Sequence, residues 1–223
     1  MAGMKLYTYW RSTAAYRVRI ALHLKGLPCE QEPVHLVKDG GEQHKPDYRA
    51  LNPQGLVPAL VDKGHVITQS LAILEYLEET HPAPALLPQG AVDRARVRSL
   101  SQIIACEVHP LNNLRVLKYL GGELGLNEQA KQSWYHHWLE QGLKPLEQRL
   151  ANESHTGRYC HGDSVTWADI CLVPQLYNAR RFEFPLEDYP TLTRIDTACR
   201  ELDAFRAAAP EAQPDAINPD APR

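Results

Sequence analysis

A short proline-rich segment at residues 80–88 limits most strongly how this chain can fold. It contains Pro82, Pro84 and Pro88. Prolines stiffen a linker and interrupt helices, so the segment is a suitable domain boundary. Strand and helix patterns alternate before it, whereas strand patterns nearly disappear after it. The sequence therefore predicts an α/β N-terminal domain at 1–87 and an all-helical C-terminal domain at 92–223.

The first domain is predicted to run in the order β-α-β and then β-β-α. Val18, Ala21 and Leu22 follow helical spacing, and Gly26 is placed to end that helix. A glycine-containing turn at 62–64 joins two strand-like runs as in a hairpin. A serine, Ser70, precedes the last apolar run and is predicted to be its N-cap. The predicted strands are 5–9, 34–37, 58–61 and 65–68, and the predicted helices are 14–25 and 71–77.

The second domain is predicted to consist of helices. Pro110 and Pro174 interrupt two of them and are expected to bend them. Thr166 and Asp169 have the spacing of a capping box at the start of the third helix. The last residues, 210–223, are rich in proline and alanine and are expected to fray. The predicted helices are 93–120, 128–150, 167–182 and 192–202.

Composition excludes several classes of protein. The chain has 43% hydrophobic and 23% charged residues, an ordinary globular balance, and its formal net charge of -3 favours neither nucleic acid nor an anionic membrane. No apolar run reaches the roughly 18 residues that a membrane span needs. The first residues lack the apolar core of a signal peptide. We therefore expect a cytoplasmic protein.

The cysteines and histidines do not form a recognisable metal or redox motif. There are five cysteines, an odd number, and none lies in a CxxC pair. This argues against a disulfide framework, a thioredoxin-type redox pair and a zinc site. Ten histidines are spread without ligand spacing. We expect scattered free thiols and no bound metal.

Three short segments of the first domain could bind an anionic or peptide-like ligand. Ser12 and Thr13 stand at the start of the first helix, where a hydroxyl can cap the helix and can also donate to a thiolate. Gln69-Ser70 stands at a strand-to-helix junction, where free N–H groups favour a carboxylate, although a helix cap alone would explain the serine. Val57-Pro58 opens a strand; a trans bond is the default for X-Pro, and a cis bond would turn the Val57 backbone toward a ligand.

Together these segments resemble the cytosolic glutathione transferases. The run 11–22, which reads RSTAAYRVRIAL, is similar to the signature of the zeta class, as are ALNPQG-x-VP at 50–58, QSLAI at 69–73 and HPLNN at 109–113. GD-x-x-T-x-AD at 162–169, LVPQ at 172–175 and QPD at 213–215 extend the resemblance over nearly the whole chain. The class includes maleylacetoacetate isomerase and bacterial maleylpyruvate isomerases. The resemblance implies a thioredoxin-like domain followed by an all-α domain, glutathione as cofactor, and a homodimer.

One position departs from the class. The signature cysteine is replaced by Ala14. A mechanism that needs a protein thiol at this position is therefore excluded, and a thiol–disulfide oxidoreductase is disfavoured. The hydroxyls of Ser12 and Thr13 are left to activate a thiol borrowed from glutathione.

The resemblance implies a reaction and a set of residues. Glutathione thiolate would add to the double bond of a maleyl compound, the resulting single bond would rotate, and the thiolate would leave. The implied catalytic residues are Ser12, Thr13 and Arg181, with Arg180 a weaker match, and the arginine would bind substrate carboxylate or enolate charge. Arg11, Arg17 and Arg19 lie near the thiol in sequence, but helical spacing lets at most one of the last two face it. The implied glutathione-binding residues are Ser12, Gln54, Val57, Gln69, Ser70, His109 and Asn113, with Lys38, Gln43 and His44 also within reach.

These residues leave alternatives open. His109 and Asn113 fit packing or helix capping near Pro110 equally well. The substrate could be maleylacetoacetate, an intermediate of phenylalanine and tyrosine breakdown, or maleylpyruvate. A general transferase that leaves glutathione on an electrophile shares the same cofactor site, and a non-catalytic glutathione-binding protein is the alternative from another class.

Overall fold

A computed structural model describes residues 3–216 of the chain. The chain divides into two compact units, one within Met1–Ala85 and Leu202–Arg223 and the other Leu86–Glu201. The division after Ala85 lies inside the proline-rich segment. Residues 202–216, which the predicted domain 92–223 includes, belong to the first unit.

The first unit is built on a mixed sheet. Its strands within residues 3–216 are β1 (Met4–Thr8), β2 (Cys29–Pro33), β3 (Ala59–Asp62) and β4 (His65–Thr68), in the order β2-β1-β3-β4. β1 is parallel to β2 and antiparallel to β3, and β3 and β4 form the predicted hairpin.

The prediction of a strand at 34–37 is wrong, and the strand lies just before it. β2 pairs with β1 up to Thr8↔Pro33, where β1 ends, so the residues after Val34 have no neighbouring strand to continue the ladder. β2 is a polar strand at the edge of the sheet. Lys5 of the neighbouring β1 forms salt bridges to its Glu30 and Glu32 at 2.8 and 3.7 Å. The sequence of β2, CEQEP, therefore lacks the apolar run that marks the other strands.

Nine helices of the described residues are labelled in chain order. They are α1 (Thr13–Leu24), α2 (Pro46–Leu51), α3 (Ser70–Thr80), α4 (Ala91–Gln102), α5 (Leu114–Gly122), α6 (Glu128–Asn152), α7 (Trp167–Arg181), α8 (Pro190–Arg200) and α9 (Asp203–Ala208). α1 and α3 pack in the first unit together with α9. Their fully buried side chains include Ile20, Ile73 and Leu77, which join Leu6 and Leu60 of the sheet in one core.

The expected fraying of residues 210–223 is wrong for the part that the structure describes. Pro210 is buried within a 3₁₀ turn at Pro210–Ala212. Gln213 is also buried, and its amide donates to the carbonyls of Ala207 and Ala209 at 2.9 and 2.8 Å. These contacts order the turn after α9; residues 217–223 lie outside the described range.

The second unit consists of α4 to α8. The helix predicted at 93–120 is broken: α4 passes into a π-helical segment at Ile103–Val108, turns come next around Pro110, and α5 begins at Leu114. Pro110 lacks the N–H that a continuous helix would use. Pro174 lies within α7, and Gly142 of α6 lets the π-helical segment approach closely, because a Cβ there would collide with Val108 Cγ2.

Several negative findings hold for residues 3–216. No helix in this range is long and apolar enough to cross a membrane. No three histidine, cysteine, aspartate or glutamate side chains there group in a way that could hold a metal ion. All five cysteines are free thiols.

Candidate active site

One edge of the sheet brings the three predicted ligand-binding segments together. Tyr7 near the end of β1 pairs with Ala59 at the start of β3, and Ala59 pairs with Thr68 at the end of β4. The loop after β1 leads to Ser12, the residue before Pro58 and β3 is Val57, and Gln69 comes directly after β4. The register therefore places these segments, far apart in sequence, at a common edge.

Ser12 is the N-cap of α1. Its Oγ accepts the N–H of Ala15 at 3.2 Å, and its own N–H donates to the Tyr9 carbonyl at 2.9 Å. The side chain is half-buried, and its hydroxyl hydrogen can still donate because capping uses only an oxygen lone pair. Thr13 is only 2% exposed. Of the two predicted hydroxyls, Ser12 is therefore the one more open to a ligand.

Val57 precedes a cis peptide bond to Pro58, the alternative to the default trans form. The carbonyl of the preceding residue, Leu56, accepts from Tyr48 Oη at 2.6 Å and from Asn52 Nδ2 at 2.8 Å. Burial raises the pKa of Tyr48 to about 12, so this phenol remains a neutral donor. The two donors fix the chain immediately before Val57.

The prediction that Ser70 is the N-cap of its helix is wrong. Gln69, not Ser70, is the N-cap of α3, and Gln69 has a positive φ of 70°. Ser70 is the first helical residue, so its backbone is already helical, and its Oγ accepts from Arg17 Nη1 at 3.2 Å. A non-glycine residue at positive φ is uncommon, and such residues cluster at ligand sites.

Four of the other predicted cofactor residues lie in the same unit. Gln54 is exposed and accepts from Gln69 Nε2 at 2.8 Å. Gln43 is buried, with its Nε2 donating to the Leu36 carbonyl at 3.3 Å, whereas Lys38 and His44 are exposed. Gln54 is thus joined to the start of α3, and Gln43 is turned into the protein.

The arginines of the first helix region are used mainly within the protein. Arg17 and Arg19 are both about 1% exposed. Arg17 donates to Ser70, and Arg19 donates to the carbonyls of Tyr9, Trp10 and Ala208. Arg11 lies over the Trp10 ring at 4.2 Å. Arg17 is therefore the arginine of α1 that reaches a predicted cofactor residue directly.

In the second unit, the two candidate arginines have different surroundings. Arg180 Nη2 binds Asp196 at 2.6 Å, and Asp196 is fully buried. Burial raises the pKa of Asp196, and Arg180 acts against that rise. Arg181 instead lines a cavity of about 270 Å³ together with Lys131 and Gln132 of α6, and its guanidinium lies 5.1 Å from the Phe182 ring centroid.

His109 and Asn113 flank the break between α4 and α5. Asn113 is the N-cap of α5, and its side-chain oxygen accepts the N–H of Arg115 at 3.1 Å. The His109 N–H donates to the Ile104 carbonyl at 2.9 Å. Asn113 thus has the capping role that sequence reasoning left open. Neither residue is among the described residues that line the Arg181 cavity.

Comparison with known proteins identifies the family. Residues 6–85 match the model of the glutathione S-transferase N-terminal domain, and residues 132–213 match that of its C-terminal domain. A bacterial glutathione S-transferase of the zeta class, solved as the holo structure of a maleylpyruvate isomerase, has a TM-score of 0.92 and 50% sequence identity, covering 96% of this chain and 100% of that chain. The chain belongs to the zeta class of glutathione transferases. The predicted α/β plus all-α architecture is confirmed.

Two further relatives of this zeta-class chain are similarly close. A probable maleylacetoacetate isomerase of Vibrio cholerae serotype O1 is 49% identical, covering 97% of this chain and 100% of the relative. The crystal structure of a maleylacetoacetate isomerase from Methylobacterium extorquens AM1, with bound malonate and glutathione, has a TM-score of 0.92 and 47% identity. It covers 96% of this chain and 100% of that chain.

Three of the five free thiols, those of Cys29, Cys160 and Cys199, are poorly suited to act as nucleophiles. Burial raises the pKa of Cys29 to about 11. Burial also raises the pKa values of Cys160 and Cys199. A thiol with a raised pKa is protonated at neutral pH, and the thiolate is the reactive form.

The sequence analysis missed Tyr48 and Asn52, and it named Arg17 only as a residue near the thiol. Tyr48 and Asn52 hold the Leu56 carbonyl, and Arg17 holds Ser70. Their side chains are buried. Arginines are seldom buried, so their type gave no reason to expect Arg17 and Arg19 in the interior. The apolar residues around them in α1 were the sequence signal that these two side chains could be buried.

Proposed function

We propose that this zeta-class chain is a glutathione-dependent cis–trans isomerase that converts maleylacetoacetate to fumarylacetoacetate in phenylalanine and tyrosine catabolism. The observation that carries the proposal is the common sheet edge, where Ser12 at the start of α1 stands with Val57 and the start of α3. The relative with bound glutathione and malonate, a small dicarboxylate, supports both ligand classes.

In the proposed mechanism, the protein binds and orients glutathione and stabilises its thiolate. Ser70 and Gln69 lie at the start of α3, where helix N–H groups favour the γ-glutamyl carboxylate. The Val57 backbone pairs with the cysteinyl unit, and the Ser12 hydroxyl donates to the sulfur. A free thiol has a pKa of about 8.5, and donation together with the α1 N-terminus lowers it.

Glutathione is recycled in the proposed reaction. The thiolate adds to the cis double bond, and the electron pair moves into the adjacent carbonyl as an enolate. The former double bond is then single and rotates. The enolate collapses, the trans double bond forms, and the thiolate leaves, so no atom is gained or lost. Arg181 supplies positive charge for a substrate carboxylate or for the enolate.

We also propose that the protein works in the cytoplasm as a homodimer. Support for the assembly comes from the class resemblance, and support for the compartment comes from the free thiols and from the ordinary overall composition. Sedimentation of the purified chain tests the assembly: a mass of one chain at micromolar concentration would contradict it.

The decisive experiment compares maleylacetoacetate, maleylpyruvate and a standard electrophile under the same glutathione concentration. A trans product free of glutathione, formed fastest from maleylacetoacetate, is expected. Faster turnover of maleylpyruvate would reassign the substrate. A stable glutathione adduct would indicate a conjugating transferase, and binding without turnover would exclude both enzymatic functions.

The neighbouring arginines provide a matched pair for the substrate end. Arg181→Ala is expected to raise KM for the dicarboxylic substrate by about tenfold, because a charge-assisted pair is lost. Arg180→Ala should instead lower the melting temperature, because it leaves the buried Asp196 without this partner. Unchanged KM in Arg181→Ala would remove this residue from substrate binding.

A further inference from the structure

The loop before Ser12 is held on both sides of Trp10 by side chains from outside the loop. The Trp10 N–H donates to Asp215 Oδ2 at 3.0 Å, and the Trp10 carbonyl accepts from Arg19 Nη2 at 3.0 Å. Arg19 Nη1 also donates to the Tyr9 carbonyl at 3.3 Å, the same carbonyl that accepts the Ser12 N–H. The backbone that sets the position of the Ser12 hydroxyl is therefore fixed at two consecutive residues.

Arg19 connects this loop to the C-terminal segment. Its guanidinium is about 1% exposed and donates to the Ala208 carbonyl at the end of α9 at 3.0 Å. α9 packs on α1, and Tyr16 Oη of α1 donates to the Phe205 carbonyl at 3.3 Å. Gln213 shapes the turn after α9 through its bonds to Ala207 and Ala209. The turn carries the chain to Asp215.

An apolar cluster links the same segment to the cofactor side of the sheet edge. Tyr9 and Trp10 form a buried cluster with Val57, and Ala216 packs against it. Asp215 is adjacent to Ala216, so the polar contact and the apolar contact reach the loop from neighbouring residues. The segment 203–216 thus touches the backbone before Ser12 and the cluster that contains Val57.

We propose that Asp215 and Arg19 are positioning residues for Ser12, and that the C-terminal segment is a working part of the thiol-activating site. A hydroxyl-to-thiolate hydrogen bond is directional, so its strength depends on where the loop places Oγ. Displacement of a reacting group by about 1 Å can cost about a hundredfold in rate. The proposal rests on the proposed function in one respect, namely that bound glutathione thiol is the group on which Ser12 acts.

The test is Asp215→Ala in the full-length protein. We expect the pKa of the bound glutathione thiol, followed by thiolate ultraviolet absorbance, to rise, and turnover at neutral pH to fall about tenfold. The affinity for glutathione should change by less than about threefold, because Gln69, Ser70 and Val57 are untouched. Asp215→Asn keeps an acceptor oxygen and should restore most of the turnover. The matched control is Asp203→Ala, an exposed aspartate of the same segment that pairs with Arg206.

Each result decides the proposal. A lower melting temperature in Asp215→Ala with unchanged thiol pKa and turnover would show a purely structural role and overturn it. If Asp215→Ala does not fold, the test uses Asp215→Glu, which keeps the carboxylate but moves its oxygens. An unchanged pKa of the bound glutathione thiol in Asp215→Glu would also overturn the proposal. The titration of the bound thiol uses glutathione alone and needs no maleyl substrate. A wild-type protein that isomerises no maleyl compound would therefore refute the proposed function, while the effect of Asp215 on the thiol pKa would still be measured.

Discussion

The N-termini of α7 and α1 are both capped by a hydroxyl residue, and they differ in the acidity of the first helical turn. At α7, Asp169 Oδ2 accepts from the N–H and the hydroxyl of Thr166, and Oδ1 accepts from the N–H of Cys160. Asp169 is fully buried. At α1, the described first turn contains no acidic residue, and Ser12 is half-buried.

The difference decides whether a carboxylate of the protein already lies at the positive end of the helix. A carboxylate in the first turn satisfies the positive end of the helix dipole from within the protein. Where that carboxylate is missing, the same positive end remains available to an anion. α3 shares the α1 pattern, with no acidic residue in its described first turn. The two helix ends at the sheet edge therefore share a property that the end of α7 lacks.

The largest expected effect on stability comes from Asp169→Ala, which removes the carboxylate from the N-terminus of α7. Three hydrogen bonds to a buried carboxylate are lost, so unfolding free energy should fall by about 3 kcal/mol. Urea denaturation measures this. Asp203→Ala, which removes an exposed first-turn acid from α9, should cost less than about 0.5 kcal/mol. Equal losses in the two variants would show that burial does not distinguish these acids.

Ser12→Ala should have the opposite balance, with a small effect on stability and a large one on the reaction. The lost cap costs about 1 kcal/mol in unfolding free energy. Removing the donor to the thiolate should reduce turnover about a hundredfold, equivalent to about 2.7 kcal/mol. Steady-state kinetics with the maleyl substrate and urea denaturation of the same preparation measure both. Wild-type turnover would exclude Ser12 from the mechanism and make the α1 cap equivalent to an ordinary one.

Local sequence patterns were sufficient to predict some of the elements compared above. The capping box at α7, the hairpin and the start of α1 all depend on residues close in sequence, and they were predicted from spacing. The strand β2 was missed because a polar edge strand carries no apolar alternation. The helix at 93–120 was predicted to bend at Pro110 but not to end before it, because apolar spacing continues through the π-helical segment.

The positions of side chains at the site depend on contacts that leave no local pattern. Trp10 and Asp215 are separated by 205 positions, and Arg19 and Ala208 by 189. Gln69 has a positive φ although glutamine does not favour it, so its conformation is imposed by the strand before it and the helix after it. The sequence could therefore nominate Ser12, Gln69 and Ser70, whereas the residues that hold them required the folded chain.

The smallest expected effect comes from giving α1 the acid that it lacks, with Ala14→Glu. Ala14 is half-buried in the first turn, and a carboxylate there should stabilise the helix by about 0.5 kcal/mol. The same negative charge disfavours a thiolate at the helix end and therefore raises the pKa of the bound glutathione thiol. Turnover should fall about threefold at neutral pH and recover at a pH above the raised value, where the thiol is ionised in both proteins. Ala14→Gln, which matches the size without the charge, should leave the pH–rate profile in place. A more stable Ala14→Glu protein with an unshifted pH–rate profile would show that the N-terminus of α1 takes no part in stabilising the thiolate. The difference between the N-termini of α1 and α7 would then affect stability alone.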